Sequence, residues 1–438
     1  MSQNEHILDD EAKAMAPSSR IKYFDMVIDH GKGALLYDAD GKEYIDLLAS
    51  ASSANTGHSH PHVVEAIQKQ AEKLIHFTPA YYANSTTSSL LQRLADLAPG
   101  DFPKKVALGN SGSDANDALI KYARAYTKRP YIISFTGAYH GSTYGSMTLS
   151  GVSLGMARQM GPLLPDIVKM PFPDVHKMLD DESEEDFSER LFAQFLEPIE
   201  NWLPKEEVAC VLIEAIQGDG GIVKVPDSYM HLLYDFCQMN GILFAVDEIN
   251  QGFGRSGKTW AIDHFGIAPD LMTIGKSVAS GMPLSALIGR AEIMEALDAP
   301  AHVFTTSGNP VCTAAAHATL DVVRDEKLAE RSASLGELAE KFFVEEQKKH
   351  PDLITGVRMY GLDGGIDIAG KGKADQIIYR LFELGVIMIT LRDTILRFQP
   401  PLVITEEQLH EAFKRLSQAF EDVAAGKVQI PSQNHIGW

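Results

Sequence analysis

Ile242-Leu-Phe-Ala-Val-Asp247-Glu248-Ile249 reads as a strand that runs through an interior and ends in charge. Five apolar residues follow one another without a polar interruption. That is the pattern of a strand covered on both faces, as in a parallel sheet, and not of one with a wet side. Val208 to Ile213 repeats it, and Leu271-Met-Thr-Ile274 is a shorter run that stops at Gly275-Lys276. Lys105 to Leu108 and Tyr131 to Phe135 read as further strands. Helix-period segments alternate with them: Leu90 to Leu97, and Ala115 to Tyr126 with Ala118, Leu119, Tyr122 and Ala123 on one face. Such alternation predicts an α/β fold whose large domain is doubly wound around a mostly parallel sheet.

Outward from this centre the pattern changes. Residues 1–20 read as an arm or a first helix, and Gly33 to Asp46 as a β-hairpin about the turn Asp40-Gly41. Leu47 to His60 is small and polar, a loop suited to lining a site. Pro61 to Leu74 has helical period, with Val64, Ile67, Ala71 and Leu74 on one face. His58, His60 and His62 lack an accompanying carboxylate or cysteine, so they are read as turn residues and no metal is expected. Asp180 to Glu189 is an acidic loop or helix start. A long amphipathic helix spans Leu328 to Lys349, and short strands and helices follow. The predicted organisation is a large domain over 61–324 and a smaller α+β domain made of 1–60 and 325–438. At roughly 150 residues per domain, 438 residues suit this division.

Bulk properties remove several classes of function. A hydrophobic content of 45% supports a large core. The formal charge of −20, with no basic stripe, argues against a nucleic-acid partner. No apolar run of transmembrane length occurs, and Met1 to Arg20 lacks the basic-then-apolar order of a signal peptide. Cys210, Cys237 and Cys312 are far apart and read as small buried hydrophobes of a reducing compartment. A cytoplasmic protein is expected, with neither membrane nor nucleic acid as partner.

The strand ends carry the chemistry. Gly109-Asn-Ser111-Gly112-Ser113-Asp114 follows a strand and opens a helix. Glycine lets backbone approach an anion, and serine hydroxyls and helix-start N–H groups donate to it; a plain helix capped by Ser113 is the other reading. Tyr139, in Ala138-Tyr139-His140-Gly141, can cover a flat ring or simply pack in its loop. Glu214 and Asp219, in Glu214-Ala-Ile-Gln217-Gly218-Asp219-Gly-Gly221, put two carboxylates where such strands open on a crevice. Asp247, if buried, needs a cationic partner, and a protonated pyridine nitrogen serves. A lysine desolvated at an apolar strand end, as Lys276 is expected to be, loses its proton more readily, and a neutral amine bonds an aldehyde. Singly each signal is modest. Together they are the equipment for holding pyridoxal 5′-phosphate.

The segments NSGSDANDALIKYAR, YHGS, EAIQGDGG, DEINQGFGRSG, GKSVASGMPLSALIGR, TTSGNP and LRFQPPLVI span nearly the whole chain. They resemble the class III (ornithine/GABA-type) aminotransferase family, of pyridoxal-phosphate fold type I. The resemblance implies that Lys276 bonds the cofactor, Asp247 pairs with its ring nitrogen, and Ser111, Gly112 and Ser113 hold its phosphate. It implies too that Tyr139 covers the ring, Ile249 packs beneath it, and Glu214 belongs to the same set. Thr305 is implied to reach the partner subunit's phosphate, which makes a homodimer the minimal unit, alone or in a dimer of dimers. Arg397 matches an arginine that grips a substrate carboxylate. Two departures stand out: Asp219 where the family commonly has glutamate, and Ile249-Asn250-Gln251 where it commonly reads VQT. Ile45 to Asn55, Thr78-Pro-Ala-Tyr81 and Ile436-Gly-Trp438 resemble one branch, the isoleucine 2-epimerase or broad-specificity amino-acid racemase group of lactobacilli.

That branch implies an isomerase interconverting L- and D- (or D-allo-) forms of apolar amino acids. The alternatives are an aminotransferase with a 2-oxo acid acceptor and a non-catalytic cofactor-binding scaffold. Inversion needs an acid on the face of Cα opposite the lysine. Asp219 is the candidate. It is about one carbon–carbon bond shorter than glutamate, and misplacement by about 1 Å can cost on the order of 100-fold in rate. It could instead only order the Gly218–Gly221 turn. Ala49, Ala51, Tyr81 and Tyr82, beside Arg397, are candidate walls of an apolar substrate pocket. Such pockets discriminate by about 1–3 kcal/mol per methylene, so breadth across isoleucine, valine, leucine, methionine and phenylalanine is expected.

Overall fold

The computed structural model describes residues 2–431, so the Ile436-Gly-Trp438 segment lies outside the described residues. The chain divides into two compact units: Met1–Pro61 with Gly254–Gly257 and Val322–Trp438, and His62–Phe253 with Lys258–Asp321.

The second unit is built on seven strands: β1 (Lys104–Gly109), β2 (Tyr131–Phe135), β3 (Ile167–Met170), β4 (Val208–Ile213), β5 (Leu243–Asp247), β6 (Leu271–Ile274) and β7 (Ser285–Arg290). Their spatial order is β1-β7-β6-β5-β4-β2-β3. β7 runs antiparallel to both neighbours and every other pairing is parallel. Every residue of β4, β5 and β6 is buried, as their near-continuous apolar runs require. The reversal at β7 leaves β1 pointing the same way as β6. The carboxyl ends of β1, β2, β4, β5 and β6 therefore share one edge of the sheet.

Two helices of this unit differ from expectation. Ser85–Leu97 starts five residues before Leu90, because the Asn84 side chain accepts from the N–H groups of Thr86 (3.0 Å) and Thr87 (3.4 Å). Its polar first turn carries no apolar period and reads as loop. In Pro61–Lys73 the buried residues are Val63 and Gln70, and Leu74 just beyond is 36% exposed. The face proposed from Val64, Ile67, Ala71 and Leu74 is thus rotated by about one residue from the buried one.

The first unit holds two four-stranded sheets. One orders Ile28–Lys32, Leu35–Asp38, Glu43–Asp46 and Val386–Ile387; the other orders Ile354–Met359, Gly364–Ile368, Ile395–Phe398 and Ile389–Leu391. Leu328–Lys349, Lys371–Glu383 and Glu406–Ala424 are its long helices. The excursion Gly254–Gly257 is anchored by Arg255. Its fully buried guanidinium donates to Ser52 Oγ, Asn55 Oδ1 and the carbonyls of Leu362 and Pro400 at 2.6–3.1 Å. Nothing in the sequence pattern marks these four residues as part of a different unit from their neighbours.

The small polar loop after Asp46 takes an unusual path. Ala49, Ser50, Ala51 and Ser52 have φ of 48°, 50°, 55° and 68°, one turn of left-handed helix without a glycine. This costs roughly 1–2 kcal/mol per residue. Asp46 Oδ1 offsets part of it by accepting from the N–H groups of Leu48 (2.8 Å) and Ala49 (2.9 Å). The nearby histidines are not partnerless, as the sequence reading had them. His58 meets Asp46 at 2.7 Å, His60 meets Glu326 at 3.0 Å and His62 meets Asp321 at 3.8 Å. Folding supplies a different carboxylate to each.

Candidate active site

A cavity of about 200 Å³ opens at the shared strand edge of the second unit. Ser111, Gly112, Ser113, Tyr139, Glu214, Asp219, Asp247, Ile249 and Lys276 all line it, with His140, Gly141 and Asn250. Nine residues singled out from the sequence thus meet at one place. A larger cavity of about 610 Å³ lies within the first unit, and none of those nine borders it.

The cradle is the start of helix Gly112–Thr127. Ser111, not Ser113, is the cap: its hydroxyl accepts from the Asp114 N–H (3.3 Å), and Asp114 Oδ2 accepts from the N–H groups of Asn110 (2.8 Å) and Ser111 (3.3 Å). The Ser113 hydroxyl accepts from Ser142 N–H at 3.0 Å, which joins this turn to the Tyr139 loop. A Cβ on Gly112 would stand 2.8 Å from Ile249 Cδ1, so a larger residue would press on the Ile249 side chain.

Asp247 ends β5 buried and firmly held. Its Oδ1 accepts from Ile249 N–H (3.0 Å), and its Oδ2 accepts from Asn116 Nδ2 (2.9 Å) and His140 Nδ1 (2.7 Å). A carboxylate can only accept, so His140 Nδ1 carries the hydrogen. Asn116 also donates to the His140 carbonyl at 2.7 Å and so ties the three together. Both supports escaped the sequence reading. The signal was present for each: His140 adjoins Tyr139, and Asn116 is a polar residue within the apolar face of its helix.

Glu214 follows β4 directly. Burial, then the nearby Asp247 and Asp219, push its carboxyl well above the usual carboxylate range against the pull of Lys276. Its Oε2 is buried with no partner among the described residues, as is His140 Nε2. Asp219 stands in the tight turn between the short strands Ile216–Gln217 and Val223–Lys224, closed by Gly221 N–H (3.0 Å) and Ile222 N–H (3.1 Å) donating to the Gly218 carbonyl. Lys276 follows β6 with φ of 44° and Ile222 has φ of 55°; such left-handed strain in side-chain-bearing residues gathers at functional sites.

Three sequence candidates are not among the residues that line this cavity. Thr305 is exposed and Tyr81 is 76% exposed, both outside the cavity wall. Arg397 is buried in the first unit, on strand Ile395–Phe398, where its Nε donates to Gln399 Oε1 at 2.5 Å.

Glu248, beside Asp247, faces away from this chemistry. It is fully buried and accepts from Ala261 N–H (2.9 Å) and Ile262 N–H (2.8 Å), and burial lifts its pKa from the ordinary 4.5 to about 8. Native Glu248 keeps a proton between those values that the unfolded chain has lost. The folded state then binds more protons, so stability falls as pH rises through that window. Urea unfolding at several pH values is expected to show this decline, and Glu248→Gln is expected to flatten its slope. An unchanged slope contradicts the assignment.

Comparison with known proteins gives the same picture. The profile of the family Aminotransferase class-III matches residues 16–420. An isoleucine 2-epimerase of Lentilactobacillus buchneri is 56% identical, over 99% of this chain and 98% of that protein. A leucine/methionine racemase of Thermococcus litoralis is 37% identical over the full length of both. The crystal structure of the omega transaminase from Pseudomonas jessenii in complex with PMP superposes with a TM-score of 0.86 at 28% identity, covering 92% of this chain and 94% of that one.

Proposed function

The chain belongs to the class-III aminotransferase family, and within it we propose that it is an isomerase inverting Cα of apolar amino acids such as isoleucine, valine, leucine, methionine and phenylalanine. Full-length likeness to two amino-acid isomerases supports inversion over amino transfer. The geometric observation that carries the reading is that Lys276 and Asp219 line one cavity.

Pyridoxal 5′-phosphate is the cofactor, and the cavity fits it. An open helix start stands ready for an anionic group, an anchored buried carboxylate for a ring nitrogen, Ile249 for an apolar face and Lys276 for an aldehyde. When bound, the cofactor draws electrons from the substrate's Cα and so acidifies its C–H bond. Asn116 and His140 hold Asp247 in one orientation, which keeps a negative charge fixed at the strand end. Lys276 Nζ removes the α-proton, and an Asp219 oxygen returns one on the other face. Ser111, Gly112 and Ser113 would hold the cofactor's phosphate and Tyr139 would cover its ring.

The active unit is a homodimer with Thr305 at the subunit boundary. The support is an exposed apolar surface holding Ile75 (66%), Phe77 (51%), Tyr81 and Tyr82 (66%). Phe77 and Tyr82 touch, with ring centroids 5.3 Å apart, and His76 meets Asn309 of the Thr305 segment at 3.3 Å. Apolar surface of this kind marks an interface more often than a free face. Among the described residues no helix is long and apolar enough to cross a membrane. A cytoplasmic setting is supported by three free, buried cysteines.

The test is chiral chromatography of L-isoleucine incubated with enzyme and no oxo acid. D-allo-Isoleucine should accumulate with the total of amino groups unchanged. Turnover only when pyruvate or 2-oxoglutarate is added would instead mark an aminotransferase.

A further inference from the structure

Asp219 is a short side chain on a turn, so its place is set by whatever holds that turn. Gln217 opens the turn at the end of the short strand Ile216–Gln217, where its backbone pairs with Val223. Its side chain is polar, 2% exposed and not among the residues lining the cavity. The two ends of its amide reach two different segments. Nε2 donates to the Thr136 carbonyl at 3.1 Å, just before the loop that carries Tyr139. Oε1 is wedged between two glycines: a Cβ on Gly137 would stand 2.6 Å from it, and one on Gly220 only 1.8 Å. Gly137 has a left-handed φ of 81°, which by itself favours glycine. Gly220 has no left-handed φ, and what excludes a side chain there is the room taken by the Gln217 amide. One buried amide thus packs against the residue after Asp219 and bonds the segment before Tyr139. Asp219 and Tyr139 both face the cavity.

We propose that Gln217 is a positioning residue for Asp219. It braces the Gly218–Gly221 turn against the Tyr139 loop, and so fixes the height at which the Asp219 carboxyl meets Cα. An apolar residue of equal length would fill the same space and tie nothing. The proposal deepens the two-base reading given above and rests on it.

Gln217→Met tests it, because methionine nearly keeps the volume of glutamine but cannot hold the Thr136 carbonyl. Gln217→Glu is the second variant: it keeps the shape, and its carboxylate offers that carbonyl an acceptor where a donor stood. α-Hydrogen exchange in D₂O is followed from each enantiomer separately, per site that yields the borohydride-reduced adduct at Lys276, so unfolded or unloaded protein does not count. Exchange from the hand whose α-proton faces Asp219 is expected to fall by about tenfold or more, since misplacement by about 1 Å can cost on the order of 100-fold. Exchange from the hand facing Lys276 should stay near the wild-type rate. A residue that served the fold at large would lower both. A second readout needs no substrate. Amide hydrogen exchange of the cofactor-loaded protein, read by peptide mass, should quicken over Gly218–Ile222 and over Thr136–Tyr139 and stay unchanged over β5. Equal falls from both hands, no fall from either, or unchanged amide protection in both segments overturns the proposal. Asp219→Asn run alongside separates the two ideas. If that variant exchanges both hands undiminished, the second base fails and the positioning role with it. If it silences one hand while the Gln217 variants silence neither or both, the positioning role alone is wrong.

Discussion

Lys276→Ala is expected to abolish turnover, by about 10⁴-fold or more, because on the proposed reading one substitution removes both the amine that bonds the cofactor and the base that takes the α-proton. The position makes the result easy to read. Lys276 already occupies left-handed backbone at φ 44°, so alanine meets no backbone penalty that lysine did not. It also lies in a short 3-10 turn anchored by buried Ser277, Val278 and Ala279, which should hold the local fold. Borohydride treatment after addition of the cofactor, followed by peptide mass analysis, is the check. Wild-type protein should carry the reduced adduct at residue 276 and the variant should carry none. An adduct found on another lysine, with activity kept, would remove the centre of the account.

Asp219→Asn has the second-largest expected effect, a loss of inversion of about 10²–10⁴-fold, the range for removing a general acid. Asparagine makes the same side-chain turns as aspartate, so it preserves whatever order the residue lends to Gly218–Gly221. A residue that only shaped the turn would therefore tolerate the change. The measurement is exchange of the α-hydrogen in D₂O, started from each enantiomer separately. The variant should still exchange the hydrogen of the hand whose α-proton faces Lys276 and should lose exchange of the other. Undiminished exchange in both hands would leave Asp219 with the turn alone.

Much of this site could be read from the chain before any coordinates. The residues at the strand ends were legible because sheet topology converts sequence position into place. Glu214 and Asp247 each follow a wholly apolar run, Lys276 follows Leu271-Met-Thr-Ile274 and one glycine, and three parallel neighbouring strands bring such ends to one edge. Strand β7 was not legible, because its Ser-Ala-Leu-Ile-Gly-Arg lacks both strict alternation and an unbroken apolar run. Its antiparallel insertion between β1 and β6 depends on long-range pairing. Asn116 and His140 were missed for a related reason: what they do is defined by a carboxylate more than 100 residues away in the chain. The left-handed turn Ala49–Ser52 carries no glycine to announce it and exists because Asp46 and Arg255 grip its ends. Tyr81 and Thr305 are the remaining case: both are exposed, and neither lines the cavity.

The most direct measurement of the central claim is the fate of Cα when wild-type enzyme turns over L-isoleucine in D₂O with no oxo acid present. Inversion at that carbon alone predicts D-allo-isoleucine carrying one deuterium at Cα, its side-chain stereocentre intact and no amino nitrogen lost from the substrate pool. Loss of the amino group without any D-allo product would contradict it.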